Sequence, residues 1–243
     1  MACSYCGSDE HRITGCSEHG IQTINSILQN LQEGSQPELE QCRLLYTGLR
    51  KVARRTILDT PAGEEFAAEL LTKVYDITMR SAPTESHSSE VAGRPQSGTD
   101  GNRRNRWEYE ESHPYYATET TSMLTFCRFL LQFFCISDAP ELPSELDCEG
   151  LASLLLIEDG ISSGTYTDPI SLEEVGSWND LRTAEGRRGF ELGHLIPYAR
   201  GGRHTLENAF LQSNQSNRIQ SDNTLEELLE WARSFLERHQ SNE

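Results

Sequence analysis

The stretch FELGHLIPYARGGRHTLENAFLQSNQSNRIQ, Phe190 to Gln220, constrains this chain more than any other part of it. Phe190 to Ile196 alternates as a β-strand does, and Pro197, which has no N–H to give, ends its ladder. Gly201 and Gly202 supply a turn that returns the chain to a second strand around Ala209 to Gln212. Asn214 to Asn217 then opens a helix. The order strand, loop, strand, helix follows within this one segment.

The remainder is mostly helical. Ile24, Ile27, Leu28 and Leu31 form one apolar stripe at helical spacing. Glu38 to Leu58 carries Leu44, Leu45, Leu49, Val52 and Ile57, with Lys51, Arg54 and Arg55 on other faces. A third helix is predicted from Pro61, with Thr60 as its N-cap, through Phe66, Leu70, Leu71 and Val74. Residues 81–106, rich in Ser, Gly, Pro and charge, read as a flexible linker or long loop. Helical signal resumes at Thr120 to Ile136, dense in Phe and Leu, and Gly150 to Glu158 is a short apolar helix or strand. The organisation is thus a module at 1–20, helical regions at 21–80 and 107–160 flanking 81–106, and a C-terminal domain at 161–243, in an α+β chain. No apolar run approaches the roughly 20 residues that span a bilayer. The N-terminus offers cysteines and histidine where a secretory signal needs an apolar stretch, so the expected location is cytoplasmic and no membrane is expected as a partner. In such a reducing compartment, Cys42, Cys127, Cys135 and Cys148 read as buried, inert thiols.

The C-terminal segment resembles the HNH (ββα-metal) endonucleases, a family that includes the HNH domain of RNA-guided CRISPR nucleases and HNH restriction enzymes. His194, in GHLIP, matches the family's first histidine. Asn208, in TLEN, matches the middle asparagine, and Asn217 the last position, on the helix. The likeness covers about Asp168 to Arg238. It implies phosphodiester hydrolysis with His194 as general base, since an imidazole titrating near 6.5 takes a proton from water at neutral pH. It implies one divalent ion, Mg²⁺ or Mn²⁺, held by oxygen ligands that include Asn217. Asn208 is expected to fix the loop or to hold the His194 imidazole. The family commonly has Asp or His just before the base, where this chain has Gly193. Residues i and i+2 of a strand share a face, so Glu191 is the expected substitute carboxylate. The cysteine pairs that bracket many HNH motifs are absent. Ser213 and Ser216 stand where one pair would fall, which leaves the helix to be supported by packing alone.

Cys3, Cys6, His11 and Cys16 form C-x2-C-x4-H-x4-C, a spacing similar to that of the zinc knuckle, whose four soft or borderline ligands suit a Zn²⁺ tetrahedron. His19 is a rival for the fourth place. The chain departs from the knuckle in Glu10 before the histidine and in having no aromatic beyond Tyr5 to stack a base.

The formal charge of −17 argues against a tight, non-specific nucleic-acid binder, yet Arg182 to Gln220 holds six arginines against three glutamates. Arg187, Arg188, Arg200, Arg203 and Arg218 are the candidate phosphate contacts. Two functional classes remain. One is a DNA endonuclease of restriction, phage-defence or mobile-element type, acting on duplex DNA, with dimerisation favoured if both strands are cut and RNA as a variant substrate. The other is a non-catalytic nucleic-acid or protein adaptor on a degenerate HNH scaffold. His204 reads as solvent-exposed in its loop, and Leu225, Leu228, Leu229, Ala232, Phe235 and Leu236 as an apolar face that closes the domain.

Overall fold

Phe126, Phe129, Phe133 and Phe134 lie on one helix, and all four are buried, so that helix marks the centre of the molecule. A computed structural model describes residues 6, 15–32, 34–61, 63–81, 104–181 and 189–240. Cys3, His11, Arg187 and Arg188 lie outside the described residues. Helix α1 spans Ser17–Asn30, α2 Leu39–Leu58 and α3 Gly63–Thr78. The central helix, α4, spans Glu119–Phe134, and Thr118 caps it by accepting from the Thr121 N–H. Two short helices follow, α5 at Cys148–Leu154 and α6 at Trp178–Leu181. Then come β1 at Phe190–His194, β2 at Ala209–Ser213, α7 at Asn214–Gln220 and α8 at Leu225–Gln240.

Helix α2 packs on α1, α3 and α4, and one continuous core joins these helices to Phe190 and Leu211 of the strands. The third helix starts later than its Thr-Pro signal predicts. The Thr60 hydroxyl donates back to the Ile57 carbonyl and so terminates α2 rather than capping α3. Cys42, Cys127 and Cys135 are buried in this core; burial raises the thiol pKa of Cys42 and of Cys135 to about 11, which leaves both inert at neutral pH.

β1 and β2 form a two-stranded antiparallel sheet in the register Phe190↔Ser213 to His194↔Ala209. A lone hairpin is marginal in water, and here the bundle completes it. The Leu211 N–H donates to Gln132 Oε1 of α4 at 2.9 Å, its carbonyl accepts from the Tyr166 hydroxyl, and Arg128 donates to the Leu206 carbonyl beside it. On the opposite strand, Lys73 of α3 donates to the Phe190 carbonyl at 2.8 Å. The free edge of β2 is thereby satisfied by side chains rather than by a third strand.

Around residues 82–103 the chain leaves and re-enters the body at one place. Ser81 N–H donates to the Arg104 carbonyl at 3.0 Å, Arg80 and Asn105 form an antiparallel bridge, and Arg106 N–H donates to the Met79 carbonyl at 3.0 Å.

Helix α8 departs from expectation. Its acidic first turn is closed by a capping box, Thr224 N–H to Glu227 Oε2 at 2.9 Å and Glu227 N–H to Thr224 Oγ1 at 3.3 Å. None of its residues is buried, and Trp231 and Leu236 are 59% and 56% exposed. Its apolar face therefore does not close the domain, because the bundle and α7 already cover the hairpin. Among the described residues, no helix is long and apolar enough to cross a membrane.

Candidate functional site

The end of β1, the loop after it and the start of α7 meet α3 around a cavity of about 510 Å3. Asp76, Arg80, Arg106, Glu191, His194 and Asn217 are among its walls. The strand's histidine and the helix's asparagine, 23 positions apart in sequence, thus share one space with the Glu191 carboxylate. Asn214 Nδ2 lies 3.5 Å from Glu191 Oε1.

His194 is half-buried, with its imidazole largely enclosed. Its Nε2 lies 3.3 Å from His204 Nδ1, which leaves Nδ1 as the nitrogen open to a water. The Tyr198 ring stands 4.5 Å away. Burial first, and the Arg106 charge second, lower the His194 pKa to about 3, so the ring is neutral at physiological pH and able to accept a proton.

His204 is not exposed; only 1% of its surface is accessible. The loop folds under and places it against His194 and the end of α3. Burial holds its pKa well below the ordinary value, with Arg106 and His194 adding to the effect. Arg106, at the edge of the segment that reads as a linker, is itself buried. It donates to the carbonyls of Thr78 and Ile77 at 2.8 and 3.1 Å and to the Tyr198 hydroxyl at 2.8 Å. Burial lowers its pKa and Tyr198 opposes this. A guanidinium stays charged in either case, so a fixed positive charge sits behind the two imidazoles.

Asn208 fixes the loop and does not touch the imidazole. Its Oδ1 accepts from the Ile196 N–H at 2.8 Å, and its Nδ2 donates to the carbonyls of Ile196 and Arg203 at 3.0 and 2.8 Å. With Gly201 in the left-handed region at φ 84°, these three bonds close the turn and present His194 at its mouth.

The helix is not held by packing alone. Asp168 is fully buried, and its carboxylate stands near the position a bracketing metal would support. Oδ1 accepts from the Ser216 hydroxyl at 2.9 Å and the Ile170 N–H at 2.9 Å, and Oδ2 accepts from the Ser213 N–H at 3.1 Å. The two serines that replace the cysteines are both used, Ser213 also capping α7 through its Oγ.

A carbon added at Gly193 would fall on Gln212 Oε1 and within 2.8 Å of the Phe210 ring. The glycine is required because the Gln212 amide occupies the space of a side chain there. Gln212 Oε1 is buried without a hydrogen-bond partner, a state that costs about 1–3 kcal/mol in an ordinary interior.

The proposed phosphate contacts are placed unevenly. Arg200 pairs with Glu227 of α8 at 2.9 Å, Arg203 donates to the His113 carbonyl at 2.6 Å, and Arg218 is exposed on α7. Arg80, on the cavity wall, pairs with Asp76 at 3.2 Å.

At the other end of the chain, the ligand atoms of Cys6, Cys16 and Glu18 lie within 4.8 Å of one another. Cys16 is buried and caps α1, its sulfur accepting from the His19 N–H. Among the described residues this is the only place where three His, Cys, Asp or Glu ligand atoms converge so closely.

His204, Arg106, Asp168 and Gln212 escape the sequence reading. Each acts through partners far along the chain, and no local spacing marks it.

No protein-family model matches the chain, and no curated protein is detectably similar to it. A solved structure described as a type II restriction endonuclease is similar at a TM-score of 0.44 and 15% identity, over 73% of this chain and 77% of that one. A likeness that distant carries no argument about what this chain does.

Proposed function

We propose that this chain is a metal-dependent DNA endonuclease of the HNH type, cutting phosphodiester bonds with His194 as general base. The observation that supports it is the cavity that His194, Glu191 and Asn217 share at the junction of the hairpin and α7. His194 is neutral there and takes the proton of an attacking water at Nδ1, His204 keeps the ring oriented through Nε2, and Asn208 holds the loop that carries it. Arg106 and Arg80 face the same space and suit an anionic substrate. The donors Glu191 and Asn217 are oxygens, which fit Mg²⁺ or Mn²⁺; such an ion, when bound, neutralises charge on the phosphate and the leaving oxygen. Cys3, Cys6, His11 and Cys16 are read as a Zn²⁺ site that holds the N-terminal module together, with His19 as the alternative ligand; the closeness of the Cys6 and Cys16 sulfurs supports this. Restriction or phage defence on duplex DNA is the role that suits such an enzyme.

The expected result is that His194→Ala abolishes plasmid cleavage in Mg²⁺ or Mn²⁺, a fall of about 10²-fold or more, while circular dichroism and DNA binding stay as in the wild type. Retained cleavage by this variant sinks the mechanism.

One observation favours the second reading, a non-catalytic adaptor: the family's acidic place is a glycine filled over by an uncharged amide. Glu191→Ala separates the two. An enzyme loses metal-supported cleavage with this substitution, whereas an adaptor shows no cleavage before or after it.

A further inference from the structure

Gln212 Oε1 is buried and unpaired, and it stands where a side chain of residue 193 would begin. The amide could relieve itself by rotating half a turn and exchanging its oxygen for its nitrogen. The surrounding bonds forbid this. Gln220 Nε2 donates to the carbonyls of His194 and Leu195 at 2.9 and 3.3 Å, so Gln220 must turn its oxygen toward Gln212. The Ser216 hydroxyl donates to Asp168 at 2.9 Å, so Ser216 too can only accept from Gln212. Gln212 Nε2 accordingly donates to both, at 3.1 and 3.0 Å, and its oxygen is left facing Gly193. Three buried side chains and a buried carboxylate are arranged so that one carbonyl oxygen has nothing to accept.

A neutral, immobilised oxygen in that state is a ready ligand for a hard divalent cation, which prefers carbonyl and carboxylate oxygens and supplies the charge that the lone pairs lack. A carboxylate oxygen on residue 193 would lie about 2.4 Å from its own Cβ, a span set by covalent geometry. The Gln212 oxygen occupies that neighbourhood from the adjacent strand.

We infer that Gln212 is the ligand that takes the place of the missing residue-193 side chain, so that the divalent ion is held by Gln212 from β2, Glu191 from β1 and Asn217 from α7. The inference rests on the endonuclease reading for the existence of the ion, and adds the residue that binds it. It also accounts for the glycine, since any larger residue at 193 would collide with the ligand.

The test is Mn²⁺ binding to the full chain without DNA, by electron paramagnetic resonance and calorimetry, with the melting curve of each variant recorded beside it. Gln212→Leu is expected to weaken Mn²⁺ by about tenfold or more, and Gln212→Glu, which keeps an oxygen and adds charge, to tighten it. Gly193→Asp alone is expected to lose the fold or the ion by collision, and Gly193→Asp with Gln212→Ala to restore binding by returning the carboxylate to its own strand. If the wild type binds Mn²⁺ and Gln212→Leu, folded, binds it equally well, the assignment of Gln212 is overturned and the endonuclease reading stands. If the folded wild type binds no Mn²⁺, both fall.

Discussion

His194 and His204 are two imidazoles 3.3 Å apart at their nearest nitrogens, with a buried guanidinium close by. Neither can take a proton in the folded chain without losing hydration and meeting that charge. Both pKa values lie below the ordinary 6.5, that of His194 at about 3. The unfolded chain protonates these rings as pH falls through about 6.5, and the folded chain does not until far lower. Their contribution to stability is therefore fully present above pH 6.5 and declines as pH falls from there toward 3. In the presence of a chelator, the melting temperature is expected to drop between pH 7.5 and pH 5, and to drop less steeply in a folded His194→Ala, His204→Asn variant. Equal slopes for the two proteins would show that the pair is not responsible. The same residues show where sequence reading stops. His194, Asn208 and Asn217 are legible because a short hairpin and helix place them by local spacing alone. His204 is not, because its burial depends on Arg106 and the end of α3, which fold in from the other half of the chain.

Among elements, the hairpin, α7 and the long helices were all foreshadowed by period and punctuation. The strand register follows from a polar-apolar pattern that admits few alternatives. What the pattern cannot reveal is which apolar faces find a partner. Helix α8 has the strongest amphipathic layout in the C-terminal region, yet Leu229, Trp231, Phe235 and Leu236 all remain more than 40% exposed. The Arg200–Glu227 pair tethers it near its first turn, and an exposed pair of this kind contributes under about 1 kcal/mol. Its backbone amides are expected to exchange with solvent far faster than those of α4, whose residues are almost all buried. Hydrogen exchange read by mass spectrometry checks this; equal protection of α8 and α4 would mean that the apolar face is covered in solution.

For the molecule as a whole, an acidic chain keeps a few arginines where they matter. Arg80 and Arg106 reach the cavity from helical and linker-edge positions that composition marks as unremarkable. They are brought there by the closure of Ser81 on Arg104 and of Arg80 on Asn105. Because the polypeptide enters and leaves through that one clasp, everything that joins its two halves is non-covalent except residues 82–103. Helices α2 and α3 pack on α4, and Arg106 is locked to Ile77, Thr78 and Tyr198. A protease site placed inside 82–103 and cut to completion is therefore expected to yield two fragments that still migrate as a single particle on gel filtration. The connecting peptide bond is dispensable once the fold is made, and separation of the fragments under native conditions would refute that. The two halves would then behave as complementary pieces, each bringing to the other part of a site that neither contains alone.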